Sequence, residues 1–228
     1  MNKRGYAAFL KKAVFTLSGR LLLMDPVRNF VYQWTWSHLQ GFPRTRGPVL
    51  DIGSRASPFP AFLAWRGFNV VAVDPYPQFI PRHNEIRRAW NVSYRTVNSD
   101  VSRVPADKPF PVVLALLSLQ HAGEGDVDGY RTAGELLGPG GMLLTVNEFD
   151  SRGTRLHRGR ADGDMRIYGP DDITERIEKP LAGSGVRVTH KRFAARNRTS
   201  HTLAWTENPE RAGFCFLLGT KNDSSTNP

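Results

Sequence analysis

Between residues 49 and 150 the chain alternates short apolar runs with stretches of helical character, and this alternation constrains its fold more than any other feature. Val49-Leu50-Asp51-Ile52 reads as a buried strand, followed by a turn and a helix through Phe62, Leu63 and Trp65. Residues 69–73 (NVVAV) form a second strand ending at Asp74, and residues 94–97 a third; the run from Asp74 to Arg87-Arg88 reads as irregular. Residues 112–117 (VVLALL) are wholly apolar, as a strand buried on both sheet faces should be. A helix with Tyr130, Ala133, Leu136 and Leu137 follows, stopped by Gly138-Pro139-Gly140-Gly141, and residues 142–146 (MLLTV) give the fifth strand. Strands alternating with helices require parallel pairing through right-handed crossovers, so the expected fold is a doubly wound α/β sheet.

The flanks follow other patterns. Residues 171–182 read as a helix closed by Gly183-Ser184-Gly185, and residues 186–193 and 213–219 as two strands forming a hairpin at the sheet edge. Near the start, residues 13–24 (AVFTLSGRLLLM) are too short and too polar to span a bilayer. No small-x-small cleavage site precedes Pro26, so secretion is not expected. A helical reading puts Phe9, Leu10, Val14, Leu17 and Leu21 on one face, with Lys3, Arg4, Lys11 and Lys12 near its start. Such a helix could lie on a membrane or over a substrate pocket; an ordinary helix packed on the domain accounts for it equally well. The expected division is an N-terminal helical or cap segment over 1–45, one domain over 46–220 with a basic substrate-side loop at 151–170, and a disordered tail over 221–228.

At 228 residues and 40% hydrophobic the chain can bury one real core. The single cysteine, Cys215, excludes an internal disulfide and a structural zinc site, and points to a reducing, cytoplasmic location. The net charge of +10 divides unevenly: +7 over residues 1–48, −2 over 49–150, +6 over 151–201 and −1 over 202–228. A nucleic-acid-binding core would interleave basic and aromatic residues throughout. Positive flanks around a nearly neutral middle instead fit an acidic acceptor, or an anionic surface beside it.

The first βα turn, Asp51-Ile52-Gly53-Ser54-Arg55-Ala56-Ser57, places a glycine directly after a buried strand, where a ligand can approach the backbone closely. Asp74 stands 21 residues beyond Gly53, at the end of the next strand, where an acid can accept hydrogen bonds from both hydroxyls of a ribose. Those two features fit any adenosine-containing cofactor. Together with DVSRVPADKPFPVVLALLSLQHAG and ELLGPGGMLLTV, the runs VLDIGS and VVAVD resemble the successive signatures of Rossmann-like S-adenosylmethionine-dependent methyltransferases (type 11-like), over residues 49 to about 149.

That resemblance implies a seven-stranded sheet, mostly parallel with an antiparallel C-terminal hairpin strand, and S-adenosylmethionine as cofactor. It implies that Asp51 and Gly53 belong to the cofactor loop, Asp51 near the methionine ammonium. Asp74 would hold the ribose, with Pro75 and Tyr76 beside the adenine; Asp100 would receive the adenine amino group, with Val101 next to it. Residues 118–121, from Ser118 to His121, would line the methyl-transfer mouth. The loop departs from the family pattern, since Arg55 and Ser57 replace its second and third glycines, and Pro111 replaces a usual acid. Arg55 must therefore avoid positive φ or tolerate strain, while Ser54, Arg55 and Ser57 gain the capacity to hydrogen-bond the cofactor carboxylate. A dinucleotide dehydrogenase would share Gly53 and Asp74 but needs the missing glycines.

His121 is the foremost general-base candidate, with a helix-start histidine as the plain alternative. His157 and Tyr168, in the basic segment after the fifth strand, are secondary candidates, and Glu148 could orient a nucleophile or cap a turn. No metal site is expected: His157, Asp162 and Asp164 lack a second histidine at ligand spacing. Trp34, Trp36 and Phe42 are candidates for an apolar pocket wall or for core. The expected reaction is methyl transfer to an oxygen or nitrogen of a small-molecule or lipid- or sugar-linked acceptor. The alternatives are an RNA methyltransferase holding phosphates with its basic flanks, or a non-catalytic cofactor-binding or membrane-associated scaffold.

Overall fold

A computed structural model describes residues 13–15, 21–23, 25–105, 109–159, 164–197 and 202–222. Eight strands form the main sheet. β3 (Val49–Ile52), β4 (Val70–Asp74), β5 (Arg95–Asn98), β6 (Phe110–Leu116) and β7 (Leu137–Glu148) run parallel. β12 (Phe214–Lys221), β10 (Val186–Arg196) and β11 (Leu203–Thr206) extend it antiparallel, in the order β11-β10-β12-β7-β6-β3-β4-β5. The expected hairpin is present as β10 and β12. The count of seven is corrected to eight, because Leu203–Thr206 pairs with Phe193–Arg196 and takes the sheet edge.

Alternation along the strands sorts their side chains into two cores, as the two-residue period of a pleated strand demands. Val49, Val70, Ala72, Val112, Leu114 and Phe216 face α1 (Pro26–Leu39), α2 (Phe59–Trp65) and α3 (Ile80–Trp90). Leu50, Val71, Val73, Val113, Ala115 and Cys215 face α4 (Asp126–Leu136) and the helical run of α5 (Pro170–Asp172), a π-helical turn (Ile173–Glu178) and α6 (Lys179–Gly183). Cys215 is thus inert core, its thiol pushed up to about 12 by burial.

α1 starts because Asp25 Oδ1 accepts from the backbone N–H of Val27 (3.0 Å) and Arg28 (3.2 Å), with Pro26 in the first turn. Val27, Val31, Trp34, Thr35 and Leu39 bury one stripe. Trp34 meets Phe216 at 5.0 Å, and Trp36 meets Phe62 at 5.2 Å. Trp34, Trp36 and Phe42 therefore belong to the core and its margin.

Ahead of α1, β1 (Ala13–Phe15) and β2 (Leu21–Leu23) pair antiparallel, which replaces the expected helix there with a hairpin. Lys3, Arg4, Phe9, Leu10, Lys11, Lys12, Leu17, Asp162 and residues 223–228 lie outside the described residues, and the tail expected over 221–228 is corrected at Lys221, which ends β12. The segment read as irregular contains α3, which hides only His83 and Ile86 and shows little apolar periodicity. The 151–170 segment folds back as a second hairpin, β8 (Arg155–His157) with β9 (Met165–Ile167). No helix among the described residues is long and apolar enough to cross a membrane.

Candidate functional site

The carboxyl ends of β3, β4, β5 and β6 open onto a cavity of about 380 Å³. A parallel sheet concentrates its turns and helix starts at this edge, so a ligand there meets backbone donors rather than side-chain bulk. Gly53, Arg55, Asp74, Pro75, Tyr76, Asp100, Val101, Ser118 and His121 all line it. Asp51, Ser54 and Ser57 instead line a narrow adjoining hollow with Arg28, Tyr32 and Leu117, and Gly53 and Arg55 border both.

Two strained turns form the divide. Gly53 has φ +69°, and a Cβ there would stand 2.4 Å from Ser118 Cβ, so only glycine lets the β3 and β6 turns approach this closely. Arg55 (φ 47°) and Leu117 (φ 55°) both occupy the left-handed region without being glycine. Of the two outcomes open to Arg55, strain is the one adopted. Such positions persist where the surroundings over-determine them, most often around ligand sites. Ser118 Oγ is buried at this junction with no hydrogen-bond partner among the described residues.

Asp74 is 3% exposed, and its carboxylate accepts from the backbone N–H of Arg55 (2.8 Å) and Tyr76 (2.9 Å). Burial raises its pKa against those two donors, and each oxygen retains a lone pair for a ligand hydroxyl. Asp51, beside Ala72 in the β3–β4 register, has no basic side chain paired with it among the described residues; burial, then the charge of Asp74, push its carboxyl up to about 7. Asp100 is exposed at the end of β5, accepts from Ser102 N–H (3.0 Å), and is held below the ordinary carboxylate value chiefly by the Ser102 hydroxyl.

The serines of the altered loop are committed inward. Ser54 Oγ meets His83 Nε2 at 3.2 Å, and His83 Nδ1 meets the Tyr94 hydroxyl at 2.9 Å. Burial drives His83 down to about 4, so it is a neutral link from the loop through α3 to Tyr94. Ser57 Oγ accepts from Phe59 N–H (3.0 Å) and shares a hydrogen bond with the Tyr32 hydroxyl (2.7 Å), joining α1 to the turn. Pro111 packs its ring against Gly47, whose Cβ would stand 3.1 Å from it.

His121 lies half-buried in the short turn Leu119–His121 on the cavity wall. His157 is exposed on β8 and is not among the lining residues. Tyr168 is fully buried and donates to Asp126 Oδ2 (2.9 Å), which turns it away from the cavity into the fold. Glu148, half-buried, gives its backbone N–H to Gln120 Oε1 (2.9 Å). Sequence reasoning missed Asp128, Gly129 and Thr132 on the cavity wall; Thr132 stands four residues after Asp128 and three after Gly129, the spacing of one helix face, which was the available signal along α4.

That wall is anchored by an ionic cluster that runs from buried Asp126 and Arg166 out to exposed Glu124. Asp126, 0% exposed, binds Arg176 (Nη2–Oδ1 2.5 Å, Nε–Oδ2 3.1 Å) and Arg166 (3.4 Å), and both arginines also pair with Glu124 (2.8 and 2.9 Å). The cluster ties β9 and the π-helical turn to the start of α4.

No family model matches the chain, and no curated protein matches it in sequence. Solved structures do match its fold. The Burkholderia thailandensis 1,6-didemethyltoxoflavin-N1-methyltransferase, with 1,6-didemethyltoxoflavin and S-adenosylhomocysteine bound, is 18% identical with a TM-score of 0.65, over 88% of this chain and 80% of that one. A S-adenosylmethionine-dependent methyltransferase from Clostridium acetobutylicum is 11% identical with a TM-score of 0.62, over 96% and 99%. The cyclase SpnF is 14% identical with a TM-score of 0.62, over 85% and 81%. The chain has the fold these proteins share.

Proposed function

We propose that the protein is a S-adenosylmethionine-dependent methyltransferase acting on an oxygen or nitrogen of a small-molecule acceptor. One observation carries the reading: a buried carboxylate at the end of β4, Asp74, lines a cavity beside the glycine-tight β3 turn whose Arg55 N–H it accepts from, with Asp51 in the adjoining hollow. The residues fit the cofactor. Asp74 would hold the ribose hydroxyls, Asp100 and Val101 the adenine edge, and Tyr76 the adenine flank. Asp51, buried without a basic partner, suits a ligand ammonium, and the buried Ser118 hydroxyl suits a polar ligand atom.

When bound, the cofactor supplies a sulfonium-activated methyl group, whose carbon–sulfur bond breaks as its bond to the acceptor forms. This chain's residues would align the reactants and exclude water. His121, on the wall, would take the proton the acceptor loses if its nucleophile is protonated. The N-terminal segment over 1–45, including Arg28 and Tyr32, and the 151–170 hairpin would close the acceptor side. Arg28 there favours an acceptor that carries an anionic group. Reducing, cytoplasmic conditions suit the single, buried cysteine.

Titration calorimetry with S-adenosylmethionine and S-adenosylhomocysteine tests the reading. Expected is 1:1 binding that Asp74→Ala weakens strongly; absence of binding to either sinks it. The fold shared with a cyclase favours a second reading, cofactor retention without methyl transfer. Turnover to S-adenosylhomocysteine with a cognate acceptor separates the two.

A further inference from the structure

At the sheet end opposite the cavity, three arginines stand over aromatic rings. Arg44 lies 4.7 Å from the Phe68 ring centre, Arg46 5.5 Å from Phe42, and Arg66 4.8 Å from Trp36 and 5.5 Å from Trp65. The groups are contiguous: Trp36 meets Phe68 at 6.4 Å, and Arg44 Nη1 donates to the Phe42 carbonyl (2.9 Å). Arg44 and Arg46 directly precede β3 and Arg66 precedes β4, which fixes the belt at the amino ends of the strands. No Asp or Glu occurs at residues 26–50 or 52–73, so the segments that build the belt carry no acid to neutralise it. Trp65, at the end of α2, is 47% exposed and is the one exposed large hydrophobic side chain among the described residues.

We infer that this belt is a docking surface for single-stranded nucleic acid, separate from the cavity. A guanidinium over a ring is held in place; Arg44 Nη1 is committed to the Gln40 and Phe42 carbonyls and Arg46 Nη2 lies 3.5 Å from the Pro139 carbonyl, and the further N–H groups that a guanidinium carries can meet phosphate. An exposed indole beside it offers a platform that accepts any base. An anionic membrane is the less favoured partner, because a single exposed indole supplies little apolar area to enter the acyl boundary. The belt faces away from the cavity, so it holds a strand without presenting it for methylation.

Fluorescence anisotropy of the full-length protein with a labelled 12-nucleotide oligouridylate tests the inference. Expected is salt-sensitive binding that the triple variant R44Q/R46Q/R66Q weakens at least tenfold. Its slope of log affinity against log salt should fall by about 2, from three phosphates at about 0.7 each. Trp65→Ala should weaken binding about fivefold with an unchanged thermal midpoint, and this exposed site keeps the test decisive if the triple variant does not fold. The inference is overturned if the wild type does not bind, or if both variants bind as wild type does. Equal affinity for an RNA duplex overturns it too, as does binding to phosphatidylglycerol vesicles but not to RNA.

Discussion

Asp126, at the start of α4, and Asp51, inside β3, are buried to a similar degree at 0% and 4% exposure, but cations surround only Asp126. Two arginines and a tyrosine hydroxyl satisfy Asp126 from within the chain. Asp51 has Asp74 as its electrostatic neighbour, and its carboxyl is pushed up to about 7. A charge that serves the fold is compensated when the fold forms. A charge left uncompensated in a cavity wall is completed by something that binds.

The largest expected effect is at the compensated centre. Arg176→Met leaves Asp126 buried with one arginine fewer, and should cost about 3–5 kcal/mol in urea unfolding. A loss under about 1 kcal/mol would erase the contrast. Asp74→Ala should weaken S-adenosylmethionine binding about 100-fold, since charge-assisted hydrogen bonds to two hydroxyls are lost; calorimetry reads this directly.

Asp51→Asn should reverse the sign seen at Arg176, stabilising the ligand-free protein by roughly 2 kcal/mol at pH 8 while weakening cofactor binding. The pH dependence follows from the raised pKa. Between the ordinary value of 3.8 and about 7, folded Asp51 keeps a proton that the unfolded chain has lost, so its contribution to stability falls as pH rises through that window. Asp51→Asn should flatten that slope. Binding of a cation beside Asp51 favours the ionised form, so calorimetry at pH 6 in buffers of different ionisation heat should detect proton release; none detected would detach Asp51 from the ligand. The smallest effect belongs to Ser118→Ala. Removing an unpartnered buried hydroxyl should leave stability within about 1 kcal/mol, yet lower cofactor affinity several-fold.

The parallel half of the sheet was legible because each strand is an apolar run ended by a turn residue, and the cavity follows from those ends. Gly53, Asp74, Asp100, Ser118 and His121 reach one wall for that reason. The rest depends on contacts distant in sequence. Asp126 meets Arg166 and Arg176 across 40 and 50 residues, and no local pattern records such a pairing. The inward commitment of Ser54 and Ser57 depends on His83 and Tyr32 in separate helices. Short runs such as AVF, LLL and LAWT do not distinguish a two-residue period from a helical one. α3 escaped notice because only His83 and Ile86 of it are fully buried, too few to mark an apolar stripe.

β12, the latest in sequence of the eight strands of the main sheet, sits between β7 and β10. During synthesis, β7 therefore emerges with an open edge that no later segment covers until residues 214–221 have left the ribosome. β10 and β11 can pair with each other in the meantime but cannot join the sheet. A chain cut short before Phe214 would lose one strand and detach two more, exposing Leu144 and Val146 along an unpaired edge. Emergence of residues 214–221 is thus the step that joins β10 to β7 and shields that edge from self-association.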